Sequence, residues 1–405
     1  MSTIQRRELA RFRNHVKKLA EKDHLGVDGF DAELNQLRQV DQRVRSNLDE
    51  FYTGSLGSSL AKNRFDDVKP NEGTIVRLKP VSKNGEGTYI NANYIDARET
   101  LEVPFVYIAT QAPLENTVLD FWRMIYENDV AFIVMLCNTQ ENGKSKSKMY
   151  WPAVGEVIDL KLLSITNVGE KSHQDSVHRT LVLRTIRGDE RTITHMQHLG
   201  WPDEGVPESS VPLMMMIQEI AKSPRSVTSP IVVHCSGGVG RTGVFISMHV
   251  LLGQFQQERT HMSVPRVVHF LKLCRSGMVQ RKDQYLYLYY ATLREMERMV
   301  LSCDTGRDLL TGASVTRQVH SSSLRIDTDT TTGPPVMLLP AKVTSHKKWK
   351  LANLFKYGSA EPTDGKEKSK RRGVVAAAAR ERSGRPVRKA ERNPGPTVCR
   401  TTLVK

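Results

Sequence analysis

Cysteine is scarce in this 405-residue chain, which has five: Cys137, Cys235, Cys274, Cys303 and Cys399. An odd count without metal-ligand spacing argues against a disulfide framework or a zinc module and fits a reducing compartment. Long apolar runs are missing too. The stretch from Val130 to Cys137 is the size of a core strand, far short of a membrane span. Met1 to Glu8 lacks the apolar core of a secretion signal, position 2 is serine where myristoylation requires glycine, and the closing Thr402-Leu-Val-Lys405 is no prenylation box. A soluble, cytoplasmic protein is expected.

Apolar residues make up 39%, which is low for a wholly compact chain, and the shortage is local. So is the charge. From Cys303 to Lys405 there are 21 lysines and arginines against 9 acidic residues, so about 12 of the formal net charge of +15 lies there. Runs such as Thr328 to Pro335, Lys366 to Arg372 and Arg380 to Lys389 lack periodic apolar positions, and this basic tail is expected to be disordered. Its clusters suit nuclear import, nucleic acid, an anionic membrane surface or a protein partner, and solvated filler no less well. His346 to Tyr357 is patterned as a short basic amphipathic helix that docks on a membrane or partner. Two units are expected: a domain over 1–302 and the tail over 303–405.

The body is organised around Val233-His-Cys-Ser-Gly-Gly-Val-Gly-Arg-Thr-Gly243. The apolar run from Pro230 to His234 reads as a buried strand and Val244 to Leu252 as a helix, so the glycines fall at a strand-to-helix turn. Such a turn aims backbone N–H groups at one point before a helix N-terminus, where phosphate is the usual occupant. Cys235 opens the loop and Arg241 closes it. Positive surroundings favour the thiolate, and cysteines in such settings titrate at roughly 3.5 to 7.5. Cys235 is therefore a candidate nucleophile, while Arg241 grips two phosphoryl oxygens with a planar fork as the group flattens. Gly238 to Gly243 also matches the dinucleotide pattern G-x-G-x-x-G, with Glu258 suitably downstream. That pattern needs a second apolar strand, and Gln254 to His261 is polar instead. A Walker A loop fails for want of its lysine.

His234-Cys-Ser-Gly-Gly-Val-Gly-Arg-Thr-Gly243 resembles the H-C-x-x-G-x-x-R-[ST]-G signature of the protein tyrosine phosphatases. Stretches from about residue 60 to residue 290 resemble its phosphotyrosine-specific, non-receptor branch. Lys62-Asn-Arg-Phe-Asp-Asp-Val-Lys-Pro70 is similar to the recognition loop K-N-R-Y-x-D-V-x-P. Phe65 stands where the family has tyrosine, which keeps the stacking ring and loses the hydroxyl. Asp67 matches the carboxylate that holds the substrate backbone, and Asp66 beside it should disfavour acidic residues flanking the phosphotyrosine. Glu141 and Lys146 align with the polar residues of the loop that supports the catalytic pocket, anchored by Tyr150-Trp-Pro152.

Trp201-Pro-Asp-Glu-Gly-Val-Pro207 resembles the family's mobile loop, which makes Asp203 the general acid. The chemistry asks for one, because a tyrosine leaving group has a pKa of about 10 and leaves poorly as an anion. The same carboxylate later activates water; Glu204 beside it reads as solvated. Met278 to Tyr285 resembles the glutamine loop, in which Gln280, helped by Gln284, positions that water. The resemblance further implies that the amides of Ser236, Gly237, Gly238, Val239, Gly240 and Arg241 hold the phosphoryl oxygens and that Thr242 donates to the departing thiolate. It implies no metal and no other cofactor.

Helical spacing marks 3–22 and 31–52 as amphipathic helices covering one side of the core. Strands are expected over 88–95, 106–113 and 131–137, a helix over 115–128, and a hairpin of 179–187 with 191–199 about Gly188-Asp189. Helices follow over 243–257, 264–275 and 282–300. The fold expected is α/β: a mixed, highly twisted central sheet flanked by helices, with the site at the C-terminal end of the strand before Cys235. The function expected is hydrolysis of phosphotyrosine in proteins by a monomer, through a cysteinyl-phosphate whose thiolate is open to reversible oxidation. One rival is a silent phosphotyrosine-binding module on the same fold, which usually loses one of the residues found here at 203, 235 and 241. The other is a dual-specificity or phosphoinositide phosphatase; the deep-slot residues argue against it, and Phe65 leaves it room.

Overall fold

The computed structural model describes residues 1–83, 86–202 and 205–306. The expectations for Asp203 and Glu204, and those for the chain beyond 306, lie outside the described residues.

The strands are β1 (Ile75–Arg77), β2 (Tyr89–Asp96), β3 (Val106–Thr110), β4 (Phe132–Met135), β5 (Gln140–Glu141), β6 (Lys144–Ser145), β7 (Val157–Asp159), β8 (Leu163–His173), β9 (Ser176–Thr185), β10 (Glu190–His198) and β11 (Ile231–His234). β5 and β6 pair with each other, and the remaining nine form one twisted sheet in the order β1-β2-β3-β11-β4-β10-β9-β8-β7. β3, β11, β4 and β10 run parallel, and the flanking pairs are antiparallel. The sheet is therefore mixed, as expected. β11 lies inside it, between β3 and β4, and is apolar on both faces. Ile231 and Val233 enter one core and Val232 the other, the pattern of a parallel strand covered on both sides.

The helices are α1 (Thr3–Ala20), α2 (Gly29–Ser46), the single turns α3 (Tyr52–Ser55) and α4 (Gly57–Leu60), α5 (Val118–Glu127), α6 (Val211–Ala221), the single turn α7 (Arg225–Thr228), α8 (Gly240–Gln256), α9 (Val264–Cys274) and α10 (Lys282–Thr305). α8 is buried from Gly240 to Phe255, as a helix apolar around its whole circumference must be. It packs against α9 and α10 on one face of the sheet, while α5 closes the other. No described helix is long and apolar enough to cross a membrane.

The strand expected over 106–113 ends at Thr110 and the helix expected over 243–257 starts at Gly240, and two helix ends are corrected further. The helix expected over 31–52 ends at Ser46, because Asn47 is extended (φ −92°, ψ 101°). Leu48 beyond it is 83% exposed, so its apolar side chain does not prolong the buried stripe. α10 continues to Thr305, past the expected limit at 300, and stops where Gly306 turns left-handed at φ 65°.

Candidate active site

The turn from β11 into α8 is shaped by close approaches. Gly238 sits at φ +71°, and a Cβ there would lie 2.1 Å from the Thr110 carbonyl oxygen, so glycine is required. Arg275, fully buried just after α9, supports the turn from outside. Its Nε donates to the Gly238 carbonyl at 2.9 Å and its Nη2 to the Gly237 carbonyl at 3.0 Å. Asn93 and Asn91 take further guanidinium hydrogens at 2.8 Å each. These carbonyls face Arg275, while the backbone amides of Val239 and Thr242 favour the Cys235 thiolate. Burial lowers the Arg275 pKa to about 10, so it stays charged at neutral pH. Arg275 carries no signature in the sequence, where it reads as one more cation after Lys272 at the end of the apolar run of α9.

Cys235 is buried. That burial works against the thiolate, but the Thr242 hydroxyl, the Arg241 charge and the Thr242 and Val239 amides outweigh it, and the thiol titrates below its usual range. The buried Thr242 hydroxyl has no well-formed hydrogen bond of its own, which leaves it available as a donor to the sulfur. Arg241 is buried as well. Its Nη1 and Nη2 each meet an oxygen of Glu141 at 2.7 Å, and Nη1 also donates to the Leu136 carbonyl at 3.0 Å. The supporting loop thus aims the fork. Lys146, half-buried just after β6, accepts the Ser236 hydroxyl on its carbonyl at 3.1 Å.

The segment bearing Asp203 reaches the loop through its described neighbour. The Pro202 carbonyl accepts from Arg241 Nη2 at 3.2 Å. Trp201 is buried, bonds the Gly205 carbonyl through its indole N–H at 3.3 Å and packs against His198 and Tyr287, so both described ends of this loop are tied to one ring.

On the opposite side, the Phe65 ring is Gly237's neighbour, with Cε2 at 3.4 Å from where a Gly237 Cβ would stand. Arg64 fastens this recognition loop, donating to the carbonyls of Ala112 (3.2 Å) and Pro113 (2.7 Å) while its amide meets Gln111 at 2.9 Å. Asp66 and Asp67 are exposed and line an adjoining groove of about 480 Å³ with Arg45, Leu48, Asp49 and Tyr52. The two glutamines sit across Gly240: a Cβ there would be 3.2 Å from Gln280 Oε1 and 2.9 Å from Gln284 Nε2. Gln284 Oε1 in turn accepts the Gln280 amide at 3.1 Å. The structure therefore brings Phe65, Glu141, Cys235, Arg241, Thr242, Gln280 and Gln284 about one loop, with Asp67 farther out at the groove.

A buried chain of hydrogen bonds fixes His234. The Cys235 carbonyl can only accept, so His234 Nδ1 carries the proton of that 3.0 Å bond and Nε2 is bare. Tyr150 must then donate to Nε2 at 2.7 Å and accept from His195 Nε2 at 2.8 Å. Burial lowers the His234 pKa to about 4, despite its bond to the Cys235 carbonyl, so the ring is neutral at pH 7.

Comparison with known proteins agrees with this geometry. The family described as "Protein-tyrosine phosphatase" matches residues 59–294. Human tyrosine-protein phosphatase non-receptor type 12 is 32% identical over 301 residues, covering 72% of this chain and 37% of its own length. Human non-receptor type 7 is 35% identical over 257 residues (63% of this chain, 69% of its own), and human type 18 is 36% identical over 240 (58% and 51%). The chain thus spans only about a third to two thirds of the length of these relatives. A family match over more than half the chain, falling on the very segments that meet around Cys235, establishes that this chain belongs to the protein-tyrosine phosphatase family.

Proposed function

We propose that the chain hydrolyses phosphotyrosine in proteins by a two-step displacement through a cysteinyl-phosphate. The observation that carries this reading is the buried Cys235 opening the turn that buried Arg241 closes, with the Arg241 fork held by Glu141 at 2.7 Å on each arm and its charge favouring the thiolate. A thiol so placed reacts as an anion.

In the first step the Cys235 sulfur attacks phosphorus. The bond to the tyrosine oxygen breaks with its electron pair, and Asp203 protonates that oxygen. The amides of Ser236 to Arg241 and the Arg241 fork hold the nonbridging oxygens. In the second step a water set by Gln280, with Gln284, attacks phosphorus and passes its proton to Asp203. Sulfur leaves as thiolate, with the Thr242 hydroxyl donating to it. Glu141 aims Arg241, while Lys146, Trp201 and His234 support the surrounding loops. Phe65 stacks on the substrate ring and Asp67 holds the peptide backbone. We assign this chemistry to residues 1–302 and read 303–405 as a separate basic tail.

The Phe65 ring beside Gly237 supports tyrosine over shorter phosphorylated side chains, and so do relatives named tyrosine-protein phosphatases. Turnover of phosphotyrosine peptide, phosphothreonine peptide and phosphoinositide by the full chain tests it. Selective release of phosphate from the first is expected; comparable rates on all three would point to the dual-specificity reading instead.

A further inference from the structure

Two residues just before Gln280 have left-handed backbone, Gly277 at φ +86° and Val279 at φ +54°. For β-branched Val279 that conformation is strained, so its surroundings must hold it. Val279 donates its amide to the Val239 carbonyl at 3.3 Å and Ser276 donates its own to Asn71 at 2.8 Å. The Gly277 amide goes elsewhere. It donates at 2.8 Å to Oδ1 of Asp41, on α2, which lies 236 positions away in sequence. The same oxygen takes the Ser276 hydroxyl at 3.4 Å, and Oδ2 takes Lys272 Nζ at 2.5 Å. Lys272 is only 1% exposed, so the carboxylate is fixed in turn by a buried ammonium. Arg45, one turn along α2, donates to the Ser276 hydroxyl at 3.2 Å. The turn and the glutamine are neighbours: a Cβ on Gly277 would lie 3.8 Å from Gln280 Nε2.

We propose that Asp41 is a positioning residue for Gln280. By accepting the Gly277 N–H it fixes the left-handed turn that sets the Gln280 amide over the Cys235 loop, and it thereby serves hydrolysis of the phosphorylated cysteine rather than its formation. This rests on the function proposed above. Asp41 exchanges no proton in either step. Water's oxygen bonds to phosphorus, the S–P bond breaks toward sulfur, and the water proton goes to Asp203.

The alternative is that Asp41 merely neutralises Lys272. Two double variants separate the roles: Asp41→Asn with Lys272→Met, and Asp41→Ala with Lys272→Met. Both lack the buried ion pair, a replacement that proteins often tolerate, but only asparagine keeps an acceptor for the Gly277 amide. Rapid quenching with p-nitrophenyl phosphate reads phosphorylation from the first turnover and hydrolysis from the steady state. First-turnover rates within about twofold of wild type are expected in both, with steady-state turnover about tenfold lower in the alanine protein and phosphate accumulating on Cys235. Equal steady-state rates, or both phases falling together, overturn the proposal. If thermal melting shows that the methionine proteins do not fold, Asp41→Asn and Asp41→Ala are compared singly by the same split and the same criteria. Absence of phosphate on Cys235 in the wild type defeats the site reading instead, and the same quench reveals it.

Discussion

Arg241 and Glu141 form a doubly hydrogen-bonded pair, each arm at 2.7 Å and both side chains buried. The phosphate-gripping fork is thus oriented by a carboxylate from another loop, and that loop is closed on itself where the Asn138 amide donates to Glu141 at 2.9 Å. Truncating the carboxylate takes both of these charge-assisted bonds from the buried guanidinium, which keeps its bonds to the Leu136 and Pro202 carbonyls. Glu141→Ala is expected to cost about 3–5 kcal/mol of stability and about 100-fold in kcat, with KM changing less. Urea unfolding and steady-state kinetics check this, and an unchanged kcat would contradict it.

Arg275 supports the loop through the carbonyls of Gly237 and Gly238. Arg275→Met strands those carbonyls and the side chains of Asn91 and Asn93 in the interior, each at about 1–3 kcal/mol. Loss of activity with a lowered unfolding midpoint is expected. Arg275→Lys should not rescue it, because one ammonium cannot serve four acceptors fixed around a planar fork.

The Cys235 thiol titrates below its usual range, so thiolate persists as pH falls until the folded-state pKa is crossed. Its contribution to stability has the same sign: present above the unfolded pKa and lost as pH falls through the folded one. The rate of Cys235 alkylation by iodoacetamide against pH should therefore have its midpoint below that of a free thiol. Thr242→Val, which keeps the shape and removes the hydroxyl, should move that midpoint up.

Buried histidines make the fold acid-labile. The pKa is lowered from 6.5 to about 4 at His234 and to about 3 at His249, in both cases chiefly by burial. Between those values and 6.5 the unfolded chain binds more protons, so stability falls as pH drops through that window, by about 3 kcal/mol for His234 and about 5 kcal/mol for His249 over its whole width. Urea midpoints at pH 7 and pH 5 check the sign; a midpoint higher at pH 5 would contradict it.

Asp66, Asp67 and Asp49 line the groove beside Phe65. Peptides with basic residues next to phosphotyrosine should be turned over faster than acidic ones, and Asp66→Arg should narrow or invert the preference. Equal kcat/KM for both peptide classes in the wild type would sink this idea.

The strand and helix that carry the Cys235 loop were legible because β11 is an apolar run and α8 is predominantly apolar from Val244 to Leu252, and the β9–β10 hairpin because alternation meets at Gly188-Asp189. β8 escaped notice, since buried Leu163 and Ile165 give way to an exposed polar half at Glu170 to His173. α6 was missed as well; its apolar stretch is short and opens with Pro212 in its first turn. Arg275 and Asp41 were illegible for a different reason. They act on the backbone of residues distant in sequence, and a single side chain bonded to a remote carbonyl or amide leaves no periodicity and no spacing to read.

The central claim is tested most directly by quenching the full chain during turnover of a phosphotyrosine peptide and mapping phosphate by mass spectrometry. A phosphoryl group on Cys235, absent from Cys235→Ser together with all turnover, is the expected result. Phosphate released while Cys235 stays unmodified, or turnover surviving in Cys235→Ser, would contradict the account.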